Sequence, residues 1–386
     1  MVWPEEPRMR SDMQAPLEGI RIVEFGHYIA APAATQILAD LGADVIKVEP
    51  PAGDQARSIG AYGDGIVCAY NRGKRSVALD LKDDDQRRIA LDLLGSADVL
   101  VQNMRAGAMD GLGLGVEVVT GLNPRLVYVS VSGFSRRGPS ARRAGLDIAA
   151  QAESGLMSVT GEQDGDPQRV GMPIADVGAS YAVVQAVLAA LFRRERTGRG
   201  SVADVSLLDV AIHMQSALWG EWHTSRQEPR RKGNGQATVA PAADVVTTAD
   251  GQIVLSAYTV EHFARLCHFL GKPWMLQDSR FADNPSRVAH RRELLSEIDT
   301  VLQHLSTERC VAELGNLGLV AATVRRFSEV AAAPDVLMSG ILTTGRDTDG
   351  RSFDVPFLPF TLDGVEVRPD LLVPTVGADQ ESVASR

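Results

Sequence analysis

Arg21-Ile-Val-Glu-Phe-Gly-His-Tyr-Ile-Ala-Ala-Pro-Ala-Ala-Thr-Gln-Ile-Leu-Ala-Asp-Leu-Gly-Ala-Asp-Val-Ile-Lys-Val-Glu49 reads as strand, helix and strand. Residues 21–25 form a short apolar strand, 31–40 a helix and 44–49 a second strand. The alternation continues outward, with a helix over 85–94 and strands over 99–102 and 126–131, the last rich in β-branched side chains. Strand and helix in strict alternation predict a Rossmann-like α/β domain, a parallel sheet with helices on both faces. The texture changes after Trp222. Residues 224–235 are polar and basic without apolar periodicity and read as a linker, and 244–256 read as a hairpin around Asp250-Gly251. Helices over 261–270 and 292–304 follow, and 353–367 is again strand-like and proline-spaced. A chain of 386 residues exceeds the usual limit of one core. The expected division is a large α/β domain over 1–222, a linker over 223–236, a smaller α+β domain over 237–330 and a last segment over 331–386.

Hydrophobic residues make up 45% of the chain and charged residues 23%, the balance of an ordinary soluble protein. No run approaches a membrane span, and no membrane partner is expected. Residues 1–10 are mixed in charge and lack an apolar stretch, so they read as a lead-in and not a signal peptide, and a cytoplasmic location follows. Cys68, Cys267 and Cys310 are odd in number and lack CxxC spacing, which points to free thiols in a reducing compartment. His262, Cys267 and His268 share a predicted helix with Phe263, Leu266, Phe269 and Leu270, a packing pattern, and no metal site is expected. A net charge of −10 argues against nucleic acid as partner. Gly111-Leu-Gly-Leu-Gly115 is glycine-rich but lacks the strand, turn and helix order of a dinucleotide site.

The chemistry centres on Gly171-Met-Pro-Ile-Ala-Asp176-Val-Gly178-Ala-Ser-Tyr181, one carboxylate ahead of a helix read over 181–194. Near a helix N-terminus a carboxylate is favoured by the dipole and by unpaired N–H groups, which keep it ionised and available as a nucleophile. The same position suits an ordinary capping Asp.

Asp176 with its flanks, Gly198-Arg-Gly-Ser-Val-Ala-Asp-Val-Ser-Leu-Leu-Asp209 and Leu41-Gly-Ala-Asp-Val-Ile-Lys-Val-Glu49 resemble the family III (CaiB/BaiF-type) CoA-transferases. Gly53-Asp-Gln-Ala-Arg57, Lys74-Arg-Ser-Val-Ala-Leu-Asp80, Asn103-Met-Arg105, Asn123-Pro-Arg125 and Ala249-Asp-Gly251 follow in the same order. The resemblance implies movement of CoA from an acyl-CoA thioester to a free carboxylic acid, through aspartyl-anhydride and aspartyl-CoA intermediates on Asp176. It also implies that 331–386 rejoins the large domain and that two subunits interlock as a homodimer.

The same resemblance places CoA against Ile29 and Ala30, against Leu79 and Lys82, and against Asn103, Met104 and Arg105. Arg57, Arg72, Lys74, Arg75 and Arg143 are further phosphate candidates, since phosphate calls for Arg, Lys or helix N-termini; a residue of this kind taken alone is more often a solvated surface charge. Pro50 and Gly111 stand where relatives often carry a basic residue, so the phosphate grip must differ. Asp147 occupies the position of an acid beside the reacting centre, or simply starts a helix. Backbone N–H groups around Gly178 and Gly235 are candidate oxyanion donors, while only Gly233-Asn-Gly-Gln236 remains of the mobile glycine loop of one branch. Related α-methylacyl-CoA racemases carry His where this chain has Leu146, and an aliphatic side chain moves no proton. A racemase-like acyl-CoA enzyme and a non-catalytic CoA-binding protein are the alternatives.

Overall fold

A computed structural model describes residues 15–235, 242–347, 349–362 and 371–384. It divides into two compact bodies, Met1–Leu156 with Val170–Ser225 and Pro334–Arg386, and Met157–Arg169 with Arg226–Ala333. Against the boundaries expected from sequence, the chain leaves the first body at Ser225, re-enters it at Pro334, and gives the second body an additional segment, Met157–Arg169.

In the first body β1 (Arg21–Phe25), α1 (Ala30–Asp40), β2 (Asp44–Glu49), α2 (Gly60–Asn71), β3 (Arg75–Ala78), α3 (Asp84–Ser96) and β4 (Val99–Gln102) follow one another. Then come α4 (Ala108–Gly111), α5 (Val116–Leu122), β5 (Val127–Ser132), α6 (Asp147–Glu153), the short α7 (Leu156–Val159), which passes into the second body at Met157, and, back in the first body, α8 (Ile174–Thr197), β6 (Ser201–Ser206), α9 (Leu207–His213) and α10 (Ser216–Ser225). All six strands are parallel, in the order β3-β2-β1-β4-β5-β6. The order reverses between β1 and β4, so the chain that follows them turns to opposite faces of the sheet, α1 to one and α5 to the other, and the crevice beyond their carboxyl ends is the place where open α/β sheets bind ligands.

Burial follows the sequence pattern. Strand β1 is almost wholly buried, as expected of a parallel strand covered on both faces. One face packs Ile22, Val45, Val99, Val127 and Val129 under α1 and α8; the other packs Val23, Ile46, Val48, Leu100 and Tyr128 under α3 and α5. The alanines of α1 let it lie between the sheet and α8. Asp83 caps α3 by accepting from the N–H groups of Asp85 and Gln86, and Gly198, at φ 67°, ends α8 in the left-handed conformation.

Helix α8 revises two expectations. It starts at Ile174, seven residues before the helix read from sequence, which puts Asp176 in its first turn. By length and composition this 24-residue helix, which contains an 18-residue window of mean hydropathy 1.7, is also long and apolar enough to cross a membrane. Here Ala175, Ala179, Val183 and Val187 are buried in the core of the first body.

In the second body β7 (Ala243–Thr247), β8 (Gln252–Ser256) and β9 (Val320–Thr323) form an antiparallel sheet. It packs with α11 (Val260–Phe269), α12 (Asn284–Ala289), α13 (Arg291–Leu302) and α14 (Thr307–Asn316) around Phe263, Leu266, Phe281, Leu294, Ile298 and Leu314. Cys267 and Cys310 are buried there as free thiols. The re-entering segment adds an antiparallel pair, β10 (Leu342–Arg346) and β11 (Ser352–Pro356), to the first body; the strand-like sequence expected beyond 362 lies outside the described residues.

Candidate active site

At the crevice, β1 runs into the turn Gly26–Ile29 before α1 begins. Among the described residues, three side chains hold the turn's backbone. Lys47 donates to the carbonyl of Gly26 at 2.8 Å. Asn103, just beyond β4, accepts the His27 N–H and donates to the His27 carbonyl, both at 2.9 Å. Asp54 accepts the Tyr28 N–H at 3.3 Å. Tyr28 sits at φ 58°, a region that non-glycine residues rarely adopt. Past the turn, the N–H groups of Ile29, Ala30 and Ala31 make no hydrogen bond among the described residues. These are first-turn donors of α1, left open at the crevice.

Charge beneath the turn is balanced internally. Glu24, fully buried in β1, meets Lys47 at 2.7 Å and Lys74 at 2.7 Å, and Thr35 donates to it at 2.6 Å. Burial alone raises a carboxyl, but the two ammonium groups outweigh it and hold Glu24 at about 2. Lys47 also lies 3.0 Å from Asp54.

Asp176 is half-buried in the first turn of α8. Ile174 N–H donates to the Met172 carbonyl at 2.8 Å. The carboxylate of buried Asp147 accepts the N–H of Ala175 at 2.7 Å and of Asp176 at 3.3 Å, and is held on its other oxygen by Gln151 at 2.6 Å. The helix N-terminus is therefore occupied by Asp147. This corrects the expectation that free amides keep Asp176 ionised: burial first, and the charge of Asp147 second, push the Asp176 carboxyl up to about 7. A carboxylate with that basicity is a better nucleophile than an ordinary one.

The next residue, Val177, packs with Tyr28, Ile29 and Tyr70 in one apolar cluster, which brings the first turn of α8 to the clamped turn. Burial, then Tyr62, Asp176 and Tyr181, raise the Tyr70 phenol above its ordinary value. Tyr28 and Tyr70 were not among the residues singled out from sequence, where a tyrosine in a turn or a helix carries no distinguishing signal.

The CoA candidates sort into two groups. Leu79 is buried just past β3, and Lys82 and Arg105 are exposed, with no side-chain partner among the described residues. Met104 is half-buried and fixed through its N–H to Gln102 at 2.8 Å. Ile29 and Ala30 are buried. Arg72, Lys74 and Arg75 are corrected as phosphate ligands. Arg72 is buried against Asp40 at 2.7 Å; Lys74 is buried against Glu24, the Pro32 carbonyl and Thr35; Arg75 starts β3, at the opposite end of the strands from the crevice, and binds Asp44 at 2.9 Å. Arg57 is paired with Glu49 at 3.0 Å. Arg143 is exposed, paired with Glu153 at 2.6 Å and stacked 4.5 Å over Phe134.

The two glycines expected to donate to an oxyanion do neither. Gly178 lies past the first turn of α8, where N–H groups point at the preceding carbonyls; its want of a Cβ admits Met214 Sδ, which a Cβ would meet at 2.7 Å. Gly235, in the second body, donates to the Lys232 carbonyl at 3.2 Å and lies against the Arg291 guanidinium. Gln236 lies outside the described residues. Among the described residues no cluster of three or more His, Cys, Asp or Glu side chains suits a metal ion.

The site thus gathers a helix-borne aspartate and an open helix N-terminus on a six-stranded parallel sheet. The chain belongs to CoA-transferase family III, whose family model matches residues 17–380. It is 35% identical over 379 residues to the succinate–glutarate CoA-transferase of Agrobacterium fabrum, covering 95% of this chain and 94% of that one. It is 34% identical to the acetyl-CoA:oxalate CoA-transferase of Acetobacter aceti, over 89% of this chain and 91% of the relative. The fold matches the crystal structure of a CaiB/BaiF family protein from Brucella suis with a TM-score of 0.88 and 31% identity, over 97% and 99% of the two chains.

Proposed function

We propose that this CoA-transferase moves CoA from an acyl-CoA to a dicarboxylic acid, with Asp176 as nucleophile. The observation that supports it most is the carboxyl of Asp176, raised to about 7 and deprived of helix amides by Asp147. The named activities of the two relatives supply the acid class.

The acceptor is itself a carboxylate, so it needs an activated acyl group, and a mixed anhydride with a protein carboxylate provides one. Asp176 attacks the donor thioester carbonyl, forming an anhydride and releasing CoA thiolate. The thiolate attacks the aspartyl carbonyl, giving aspartyl-CoA and the donor acid. The acceptor carboxylate attacks aspartyl-CoA, forming a second anhydride and releasing the thiolate again. Attack on the acceptor acyl carbonyl gives the new acyl-CoA and restores Asp176. Lys82 and Arg105 supply positive charge for the CoA phosphates, and the open amides of Ile29, Ala30 and Ala31 donate to its polar oxygens.

Leu146, 67% exposed and unable to carry a proton, supports transfer over racemisation. The exposed side of α8 carries Tyr181, Leu188 and Phe192, an apolar stripe that supports a homodimer, tested by sedimentation down to nanomolar concentration. Incubation of acyl-CoA donors with succinate, glutarate or oxalate, followed by mass spectrometry, tests the function. Formation of the acceptor's CoA thioester supports it; α-proton exchange of a 2-methylacyl-CoA without transfer favours the racemase, and CoA binding with neither reaction a non-catalytic protein.

A further inference from the structure

We propose that Asn103 is a positioning residue for CoA: its side-chain amide clamps the turn Gly26–Ile29 in the shape that presents the first amides of α1 to the substrate. The inference rests on the CoA-transferase reading and deepens it, replacing a direct ligand with a clamp.

The amide of Asn103 is fully engaged along one edge. Its oxygen takes the N–H of His27 and its nitrogen gives a proton to the carbonyl of the same residue, both at 2.9 Å. This is the pairing a neighbouring strand would make, supplied by one side chain just past the last β1–β4 pair, Phe25 with Gln102. The turn needs such support. Tyr28 holds φ 58°, a conformation that persists in a non-glycine residue only where its surroundings impose it. Gly26 has no space for a side chain, since a Cβ there would lie 2.7 Å from Glu24 Oε1 and 2.9 Å from Ala31 Cβ. Lys47 and Asp54 hold the residues on either side of His27. With Lys47 locked between Glu24 and Asp54, Asn103 is, among the described residues, the clamp that comes from across the crevice.

The test reads two quantities in the CoA-free and CoA-bound enzyme: hydrogen exchange of the His27 and Tyr28 amides, and the dissociation constant of CoA. Wild-type binding of CoA comes first; its absence overturns the CoA-transferase reading itself. In Asn103→Ala, exchange at these amides in the free enzyme should accelerate, and CoA should bind roughly 10- to 100-fold more weakly, the scale on which a small misplacement acts. Asn103→Asp, which keeps the acceptor and loses the donor, should fall between the two in both quantities, and carries the test if the Ala variant fails to fold. Faster exchange with unchanged CoA affinity overturns the clamp, because the turn would not matter to CoA. Weaker CoA binding with unchanged exchange also overturns it, because Asn103 would then be a direct ligand.

Discussion

The carboxylate of Asp147 accepts the backbone N–H of Asp176 at 3.3 Å, and the N–H of Ala175 at 2.7 Å. One acid thus caps the helix that carries the other and withdraws the helix amides from it. The two roles of Asp147 separate by substitution. Asp147→Asn retains an oxygen for the amides but removes the charge, so Asp176 ionises at lower pH. The acid limb of the transfer rate should shift to lower pH, while stability changes little. Asp147→Ala removes the cap as well and should cost about 1 kcal/mol of stability. An unmoved pH profile in Asp147→Asn contradicts this electrostatic role.

The raised carboxyl also links stability to pH. In the folded protein Asp176 holds its proton up to about 7, whereas in the unfolded chain it loses it near ~3.9. Between those values the native state binds more protons, so this group's contribution is fully present below the unfolded value and is lost as pH rises through about 7. Asp176→Asn has no such loss. The melting temperature of the variant minus that of the wild type should therefore grow from pH 5 to pH 8. A difference that stays constant across that range contradicts the linkage.

Much of this was legible in sequence. Strands β1, β2 and β4 were plain because buried parallel strands are near-continuous apolar runs, and α3 because its apolar face repeats at helical spacing. Strand β3, only Arg-Ser-Val-Ala, and β6, Ser-Val-Ala-Asp-Val-Ser, went unread: the first is too short, and the second is half-exposed, with polar residues mixed in. The start of α8 was read late because Pro173 and Gly178 look like breakers; Pro173 in fact directly precedes the helix, and Gly178 admits Met214. The basic residues were the hardest. Lys74 and Lys82 are alike as letters, yet one is sealed against Glu24 and the other is free, and only tertiary pairing tells them apart.

The buried cluster gives a stability prediction. Glu24→Gln leaves Lys47 and Lys74 without their shared carboxylate and should cost about 3–5 kcal/mol, the scale for stranding a buried charge. Adding Lys74→Met to that variant restores balance, because Lys47 keeps Asp54 at 3.0 Å. Denaturant unfolding should find the double variant more stable than Glu24→Gln alone; equal or lower stability contradicts the pairing.

CoA recognition makes a contrast between two ends of one sheet. Lys82→Ala and Arg105→Ala should each weaken CoA binding by roughly 1–3 kcal/mol, as expected for a charge-assisted contact. Arg75→Ala, at the far end and engaged with Asp44, should leave it unchanged. Calorimetric titration with CoA and dephospho-CoA also separates a 3′-phosphate contact from a diphosphate contact. Unchanged affinity in both Lys82 and Arg105 variants removes them from the site.

The central claim is that Asp176 becomes covalently activated, and trapping tests it most directly. Hydroxylamine added during turnover with an acyl-CoA should convert Asp176 to its hydroxamate, located by peptide mass mapping. Asp176→Asn, nearly isosteric, should keep the fold and bind CoA, give no hydroxamate, and lose transfer by several orders of magnitude. Wild-type turnover in Asp176→Asn, together with no adduct trapped in the wild-type enzyme, would contradict the account.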